Sequence, residues 1–145
     1  MFFLRRRNIR ASLHECRHAA HSNHGSEFDD AARRSGLLLL AAAHALPRAL
    51  ATGIDLWSTR DQSGHASAAT HANAAASGIA GRIRIDTGDM RTLAYAEASF
   101  DAVVSSLAIH NLASAADRAQ AVREIARVLK PGGHVALLDF VHTNA

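Results

Sequence analysis

Two carboxylates stand at the ends of short apolar runs. Asp55 closes Ala51-Thr-Gly-Ile-Asp55, and Asp89 sits in the turn Gly88-Asp-Met90 behind the alternating run Arg82–Thr87. An ionised carboxylate only accepts hydrogen bonds, so each can hold donor groups of a ligand or cap its own loop. Ser105 and Ser106 end a third apolar run, and His110-Asn111 follow. Serines there can bond a ligand or simply permit close packing. His110 has the chemistry of a general base toward an acidic hydroxyl or amine; a loop histidine without a role reads as readily. His14, His18, His21 and His24 cluster upstream, with His14 and His18 four apart. A metal site needs such ligands on rigid elements, and this stretch has no apolar period to build one, so no metal is expected.

The elements that must position these groups come from a chain of 145 residues, 48% hydrophobic and 20% charged, enough for one buried core. The formal net charge is +3 and the sequence pI is near 10.0. The basic excess gathers at Arg5, Arg6, Arg7, Arg10 and Arg17, and from Ser35 onward acids and bases roughly cancel. No basic stripe marks a folded nucleic-acid face. Cys16 is the single cysteine, so no internal disulfide argues for secretion, and a cytoplasmic place is expected. The longest apolar run, Leu37 to Ala43, is far below the ~20 residues that span a bilayer, so no membrane segment is expected. Met1-Phe-Phe-Leu-Arg-Arg-Arg7 has the arginines and the lack of acids of a targeting peptide. Its charge follows its apolar run instead of preceding it, and a poorly ordered leader is the plainer reading.

From Ser35 a rhythm begins. Ser35 can cap a helix over Gly36–Leu46 that Pro47 closes. Ala51–Leu56 reads as a buried strand, and alanine-rich Ala66–Ala76 as a helix stopped by Gly78. Arg82–Thr87 and Phe100–Leu107 read as strands. Asp117–Leu129 carries Ala121, Val122, Ile125, Val128 and Leu129 at helical spacing, Lys130-Pro-Gly-Gly133 turns the chain, and His134–Val141 is a third long apolar strand. This alternation predicts an α/β fold with a parallel sheet and right-handed crossovers.

Several of these segments match one family in order and separation. Thr52-Gly-Ile-Asp-Leu-Trp57 resembles the second strand of class I S-adenosylmethionine-dependent methyltransferases, of the type-11-like methyltransferase domain. Thr87-Gly-Asp-Met90 resembles the turn after the third strand, and Ser99-Phe-Asp-Ala-Val-Val-Ser-Ser-Leu107 the fourth strand with its lead-in. Arg123-Glu-Ile-Ala-Arg-Val-Leu-Lys-Pro-Gly-Gly133 with Val135–Phe140 resembles the helix, turn and fifth strand. The resemblance covers Ser35 to Thr143 and implies a Rossmann-like sheet with S-adenosyl-L-methionine at the carboxyl ends of its strands. It implies cofactor-binding roles for Gly36, Asp55, Leu56, Asp89, Met90 and Ser105. Asp55 would accept from both ribose hydroxyls and Asp89 from the adenine amino group. Met90 would lie on the ring, with Leu56 and Trp57 as an apolar wall, though Trp57 serves equally as core. Gly36 would be the last glycine of the cofactor loop, and Ser105 and Ser106 would line the methyl channel. Methyl transfer to an activated electrophile needs alignment more than covalent help, so the lack of a catalytic triad is no objection.

The first strand departs from the pattern. A gapless placement makes it Phe28-Asp-Asp-Ala31, with Ala32 and Arg34 where the earlier glycines belong. That is a poor buried strand, and the ligand-facing turn lacks its open backbone. The expectation is therefore an incomplete domain: residues 1–34 a poorly ordered leader from a truncated or shifted frame, residues 35–145 a partial methyltransferase domain, first strand degraded and C-terminal strands absent. Function is expected to be methyl transfer from S-adenosylmethionine to an unidentified acceptor. The alternative is a non-catalytic remnant. A dinucleotide oxidoreductase would need a Gly-x-Gly-x-x-Gly turn after a strand, which is missing here.

Overall fold

The computed structural model describes residues 1–5, 36–56 and 66–139. Strand β1 (Phe2–Arg5) is followed by helix α1 (Leu37–Ala45), β2 (Leu50–Asp55), α2 (Ala66–Ala76), β3 (Ile83–Thr87), β4 (Phe100–Ser106), α3 (Ala115–Val128) and β5 (Leu129–Leu138). Single 3-10 turns occupy Ala80–Arg82 and Ile109–Asn111. The predicted helices and strands from Gly36 onward are all present; most ends move by one or two residues, but the last strand, expected over His134–Val141, runs Leu129–Leu138 and takes in the Lys130–Gly133 segment expected as a turn. Ser35, Trp57 and the histidines of the leader lie outside the described residues.

Local chemistry explains the boundaries. The Ser114 hydroxyl accepts from the Asp117 amide at 3.0 Å, capping α3, and Asp117 puts negative charge in its first turn. Along α3, Ala121, Ile125 and Val128 are buried at the helical period, while Val122 is exposed. Gly78 ends α2 at φ +68°, where its own amide and that of Ile79 reach back to the Ala75 and Ala74 carbonyls. Lys130-Pro-Gly-Gly133 bulges out of the ladder: Phe100 pairs with Leu129, yet Ala102 pairs with His134. Five steps on β5 thus match two on β4.

The sheet corrects one expectation. Its order is β3-β2-β1-β4-β5. The pairs β2/β3 and β4/β5 are parallel as expected, but the middle strand is Phe2–Arg5, antiparallel to both neighbours. Phe2 faces Gly53 on one side and Val104 on the other. Phe2–Arg5 falls where the sequence suggests a leader, and its arginine-rich context hides a four-residue strand whose first three residues are apolar. Phe2, Phe3 and Leu4 are all buried, because a central strand is covered on both faces.

The two faces carry separate cores. Phe2, Leu4, Leu39, Leu40, Ala42, Ala43 and Leu46 pack under α1 and α2 with Ala74 and Ile79. Phe3, Ile54, Leu93, Phe100, Val103, Ile125 and Val128 pack under α3. Phe3 stacks on Phe100 with ring centroids 4.6 Å apart and meets Tyr95 edge-on at 5.0 Å. Among the described residues β5 pairs on one side only, and Val135, Leu137 and Leu138 are exposed there.

Candidate cofactor rim

The parallel pair β2/β3 brings the two expected carboxylates to one rim. Asp55 lies opposite Thr87, and the Gly88 amide donates to the Asp55 carbonyl at 3.0 Å. Asp89 is therefore one residue beyond a backbone contact with Asp55. Leu56 follows on the same rim with half its surface exposed, and Met90 is half-buried in the turn. Helix α1 runs antiparallel to β2. Leu39 touches the Gly53 position near the carboxyl end, and the Arg82 guanidinium bonds the Ala43 and Leu46 carbonyls at the other. Gly36, at the N-terminus of α1, thus reaches the Asp55 rim.

Each candidate has identifiable surroundings. Gly36 has φ +64°, and a Cβ there would come within 2.4 Å of the Thr70 side chain. It lets α1 begin hard against α2. Asp89 is clamped by Arg91: the guanidinium Nε and Nη2 lie 2.9 and 2.5 Å from Oδ2, and the Arg91 amide donates to Oδ1 at 2.8 Å. These bonds, led by the side-chain one, hold the Asp89 carboxyl below its usual range. Arg91 also bonds Asp117 on α3 at 3.2 Å. The guanidinium thus occupies acceptor positions that the resemblance reserves for the adenine amino group, and a lone Gly-Asp-Met gives no hint of it.

Strand alternation separates the remaining residues. Gly53 faces α1, so Asp55, two residues on, faces the same side. Val103 faces α3, so Ser105 does as well, and Ser106 shares the face of Asp55. Ser105 is buried to 1% exposure, and its hydroxyl has no hydrogen-bond partner among the described residues. It is not brought together with Asp55.

The first strand changes the rim most. Running antiparallel, β1 has Arg5 opposite Leu50, at the rim away from Asp55. The chain leaves β1 on that far side. At the near rim stands Met1, whose carbonyl accepts from the Ile54 amide at 2.9 Å. No glycine turn leaving the middle strand meets Asp55 among the described residues. The donor set therefore suits the adenosine half of S-adenosylmethionine, with a carboxylate for vicinal hydroxyls and apolar Leu56 and Met90 beside it. Among the described residues no glycine cradle stands at the methionine half.

Across β1 from Asp55 lies a pair that sequence reading half foresaw. His110 sits in the turn after β4, and its Nδ1 is 2.5 Å from an Asp139 carboxylate oxygen. The other oxygen accepts from the Ile109 and His110 amides at 2.8 and 3.3 Å. Asp139 directly follows β5; nothing local in the sequence ties it to a histidine 29 residues away. Leu107, at φ +49°, turns the chain out of β4 while its amide donates to the Leu138 carbonyl at 2.7 Å. No group of three or more potential metal ligands occurs among the described residues. No described helix is long and apolar enough to cross a membrane.

Comparison with known proteins agrees with this architecture. Residues 30–137 match the family described as "Methyltransferase domain". The chain is 35% identical over 112 residues to a ubiquinone/menaquinone biosynthesis C-methyltransferase of Geotalea daltonii, covering 77% of this chain and 44% of that protein. It is 45% identical over 58 residues to a demethylmenaquinone methyltransferase of Deinococcus radiodurans, covering 40% and 23%. The crystal structure of YcgJ from Bacillus subtilis superposes with a TM-score of 0.52 at 26% identity, over 68% of this chain and 38% of that one. The chain spans less than half the length of these curated relatives.

Proposed function

This chain belongs to the methyltransferase domain family, an enzyme family whose cofactor is S-adenosylmethionine, and on that premise we propose that its rim binds the cofactor for methyl transfer to a small acceptor. The observation that carries the reading is the β2/β3 register, which sets Asp55 beside the Gly88-Asp89-Met90 turn. Asp55 takes the ribose hydroxyls as an acceptor-only carboxylate, sharing its charge with the Met1 ammonium that it faces. Leu56 and Met90 flank the base. Asp89 reaches the adenine amino group only by sharing its oxygens with Arg91. Gly36 and Ser105 act on the frame, Gly36 by admitting Thr70 and Ser105 by its small size under α3. When bound, the cofactor supplies an electrophilic methyl on a sulfonium, and the protein's part is to place the acceptor in line with it.

The test is calorimetry with S-adenosylhomocysteine. Micromolar binding, weakened at least about tenfold in Asp55→Ala, which is about 1.4 kcal/mol, supports the proposal. Absence of heat at millimolar ligand refutes it and leaves the second reading, a non-catalytic remnant. One observation favours that second reading: β1 runs antiparallel, and among the described residues no glycine turn leaves it toward the methionine end. One relative is named for ubiquinone/menaquinone biosynthesis and another as a demethylmenaquinone methyltransferase, so a naphthohydroquinone is the first acceptor to assay. We place the protein in the cytoplasm, in keeping with its single cysteine.

A further inference from the structure

We propose that Arg91 sets which purine the rim accepts: seated on Asp89 it favours a base that bears a carbonyl, and an adenine gains Asp89 only as the guanidinium shifts toward Asp117. The inference rests on the reading of the rim as an adenosine site. It is carried by one side chain shared between two carboxylates. The Arg91 Nε and Nη2 lie 2.9 and 2.5 Å from Oδ2 of Asp89, and Nη1 lies 3.2 Å from Oδ1 of Asp117. Nε also reaches the Asp89 Oδ1 at 3.1 Å, where the Arg91 amide donates at 2.8 Å. A carboxylate has about four acceptor sites, so a single neighbour nearly fills Asp89.

The chemistry of the bases then separates them. Adenine carries an amino donor where hypoxanthine carries a carbonyl acceptor. A guanidinium is donor-only and always charged. Seated on Asp89, it repels an incoming amino group and attracts a carbonyl oxygen. A bare carboxylate does the reverse. Arg91 also has a second seat. Asp117 stands in the first turn of α3, fixed by the Ser114 hydroxyl at 2.8 Å, with its other oxygen already on Nη1. A shift of the head group leaves the turn fastened. The Gln120 side chain donates to the Arg91 carbonyl at 3.3 Å, and the Leu93 amide donates to Glu124 at 2.8 Å. The Arg91 side chain is 41% exposed, so water follows the guanidinium to either seat. Arg91 is thus a positioning residue that acts through Asp89.

The probes are S-adenosylhomocysteine and S-inosylhomocysteine, whose binding to the full chain, to Arg91→Ala and to Asp117→Asn is measured by calorimetry. In Arg91→Ala the ratio of adenosyl to inosyl affinity should rise at least about tenfold, because a bare carboxylate accepts the amino group and leaves the carbonyl unpaired. In Asp117→Asn the guanidinium loses its second carboxylate and stays on Asp89. The ratio should then fall, by about threefold for so exposed an ion pair. Both variants cut the same Arg91–Asp117 contact. A merely structural link between turn and helix would therefore move the two ratios in one direction or leave both alone. Ratios within about twofold of the parent, or shifted with the same sign, overturn the proposal. If Arg91→Ala does not fold, the sign in Asp117→Asn decides. S-adenosylhomocysteine binding with unmoved ratios sinks the role of Arg91 alone. Absence of binding by both probes in all three proteins sinks the rim reading and this inference with it.

Discussion

Phe3→Ala tests the least expected feature of the fold, the entry of residues 2–5 into the middle of the sheet. Phe3 is wholly buried, stacked on Phe100 at 4.6 Å and edge-on to Tyr95 at 5.0 Å. Truncating a buried phenylalanine costs about 3–5 kcal/mol, lost transfer energy and cavity together. The two ring contacts, about 0.5–1.5 kcal/mol each, argue for the upper half of that range. A domain of this size holds only about 5–15 kcal/mol in total, so a loss of about 4 is large. With a urea slope of about 2 kcal/mol per molar, the unfolding midpoint should fall by about 2 M. Circular dichroism in a urea series reads this directly. Leu50→Ala serves as control, because Leu50 pairs with Arg5 at the strand's end but is 58% exposed, and it should stay within about 0.5 kcal/mol of the parent. A Phe3→Ala midpoint within about 0.3 M of the parent, or equal to that of Leu50→Ala, would mean that Phe2–Arg5 is not the middle strand.

Arg91→Ala should let the Asp89 carboxyl titrate near the ordinary aspartate value; 13C NMR of the carboxyl should show its midpoint moving upward, and an unmoved midpoint contradicts the clamp. Glu124 bonds Arg127 and accepts from the Leu93 amide at 2.8 Å, and these contacts hold its carboxyl below the usual range. A depressed acid stabilises the fold above its unfolded pKa and loses that contribution as pH falls through the lower folded value. The parent should therefore exceed Glu124→Gln in stability at neutral pH, and the gap should close only in strong acid; a gap constant with pH refutes this. Ser105→Ala should leave stability unchanged or raise it by up to about 1 kcal/mol, because it removes a buried hydroxyl without a partner, and leave S-adenosylhomocysteine binding unchanged. Weakened binding would instead assign Ser105 to the cofactor. Leu107→Gly should relieve about 1 kcal/mol of left-handed strain, read in the same urea assay, set against a similar loss of chain entropy. A stability loss well beyond 2 kcal/mol would mean that the leucine's packing, not its backbone, governs the turn.

Much of the architecture was legible along the chain. Apolar runs of strand length, the alanine-rich α2 and the apolar stripe of α3 set each element from Gly36 onward, because period and capping are local properties. Asp55 and Asp89 were recognisable as rim residues for the same reason: each ends or follows a parallel strand, and parallel neighbours place their ends together. Three matters were decided only by the tertiary structure. The middle of the sheet went to Phe2–Arg5, since three buried residues carry too short a pattern to be read in an arginine-rich stretch, and pairing on both sides supplies what propensity does not. The partner of Asp89 turned out to be Arg91, and the partner of His110 to be Asp139, because hydrogen-bond partners depend on where side chains are carried in space. Ser105 and Asp55 fell on opposite faces of one sheet. Period-2 alternation dictates that within a strand, but only the register between strands reveals it across the sheet.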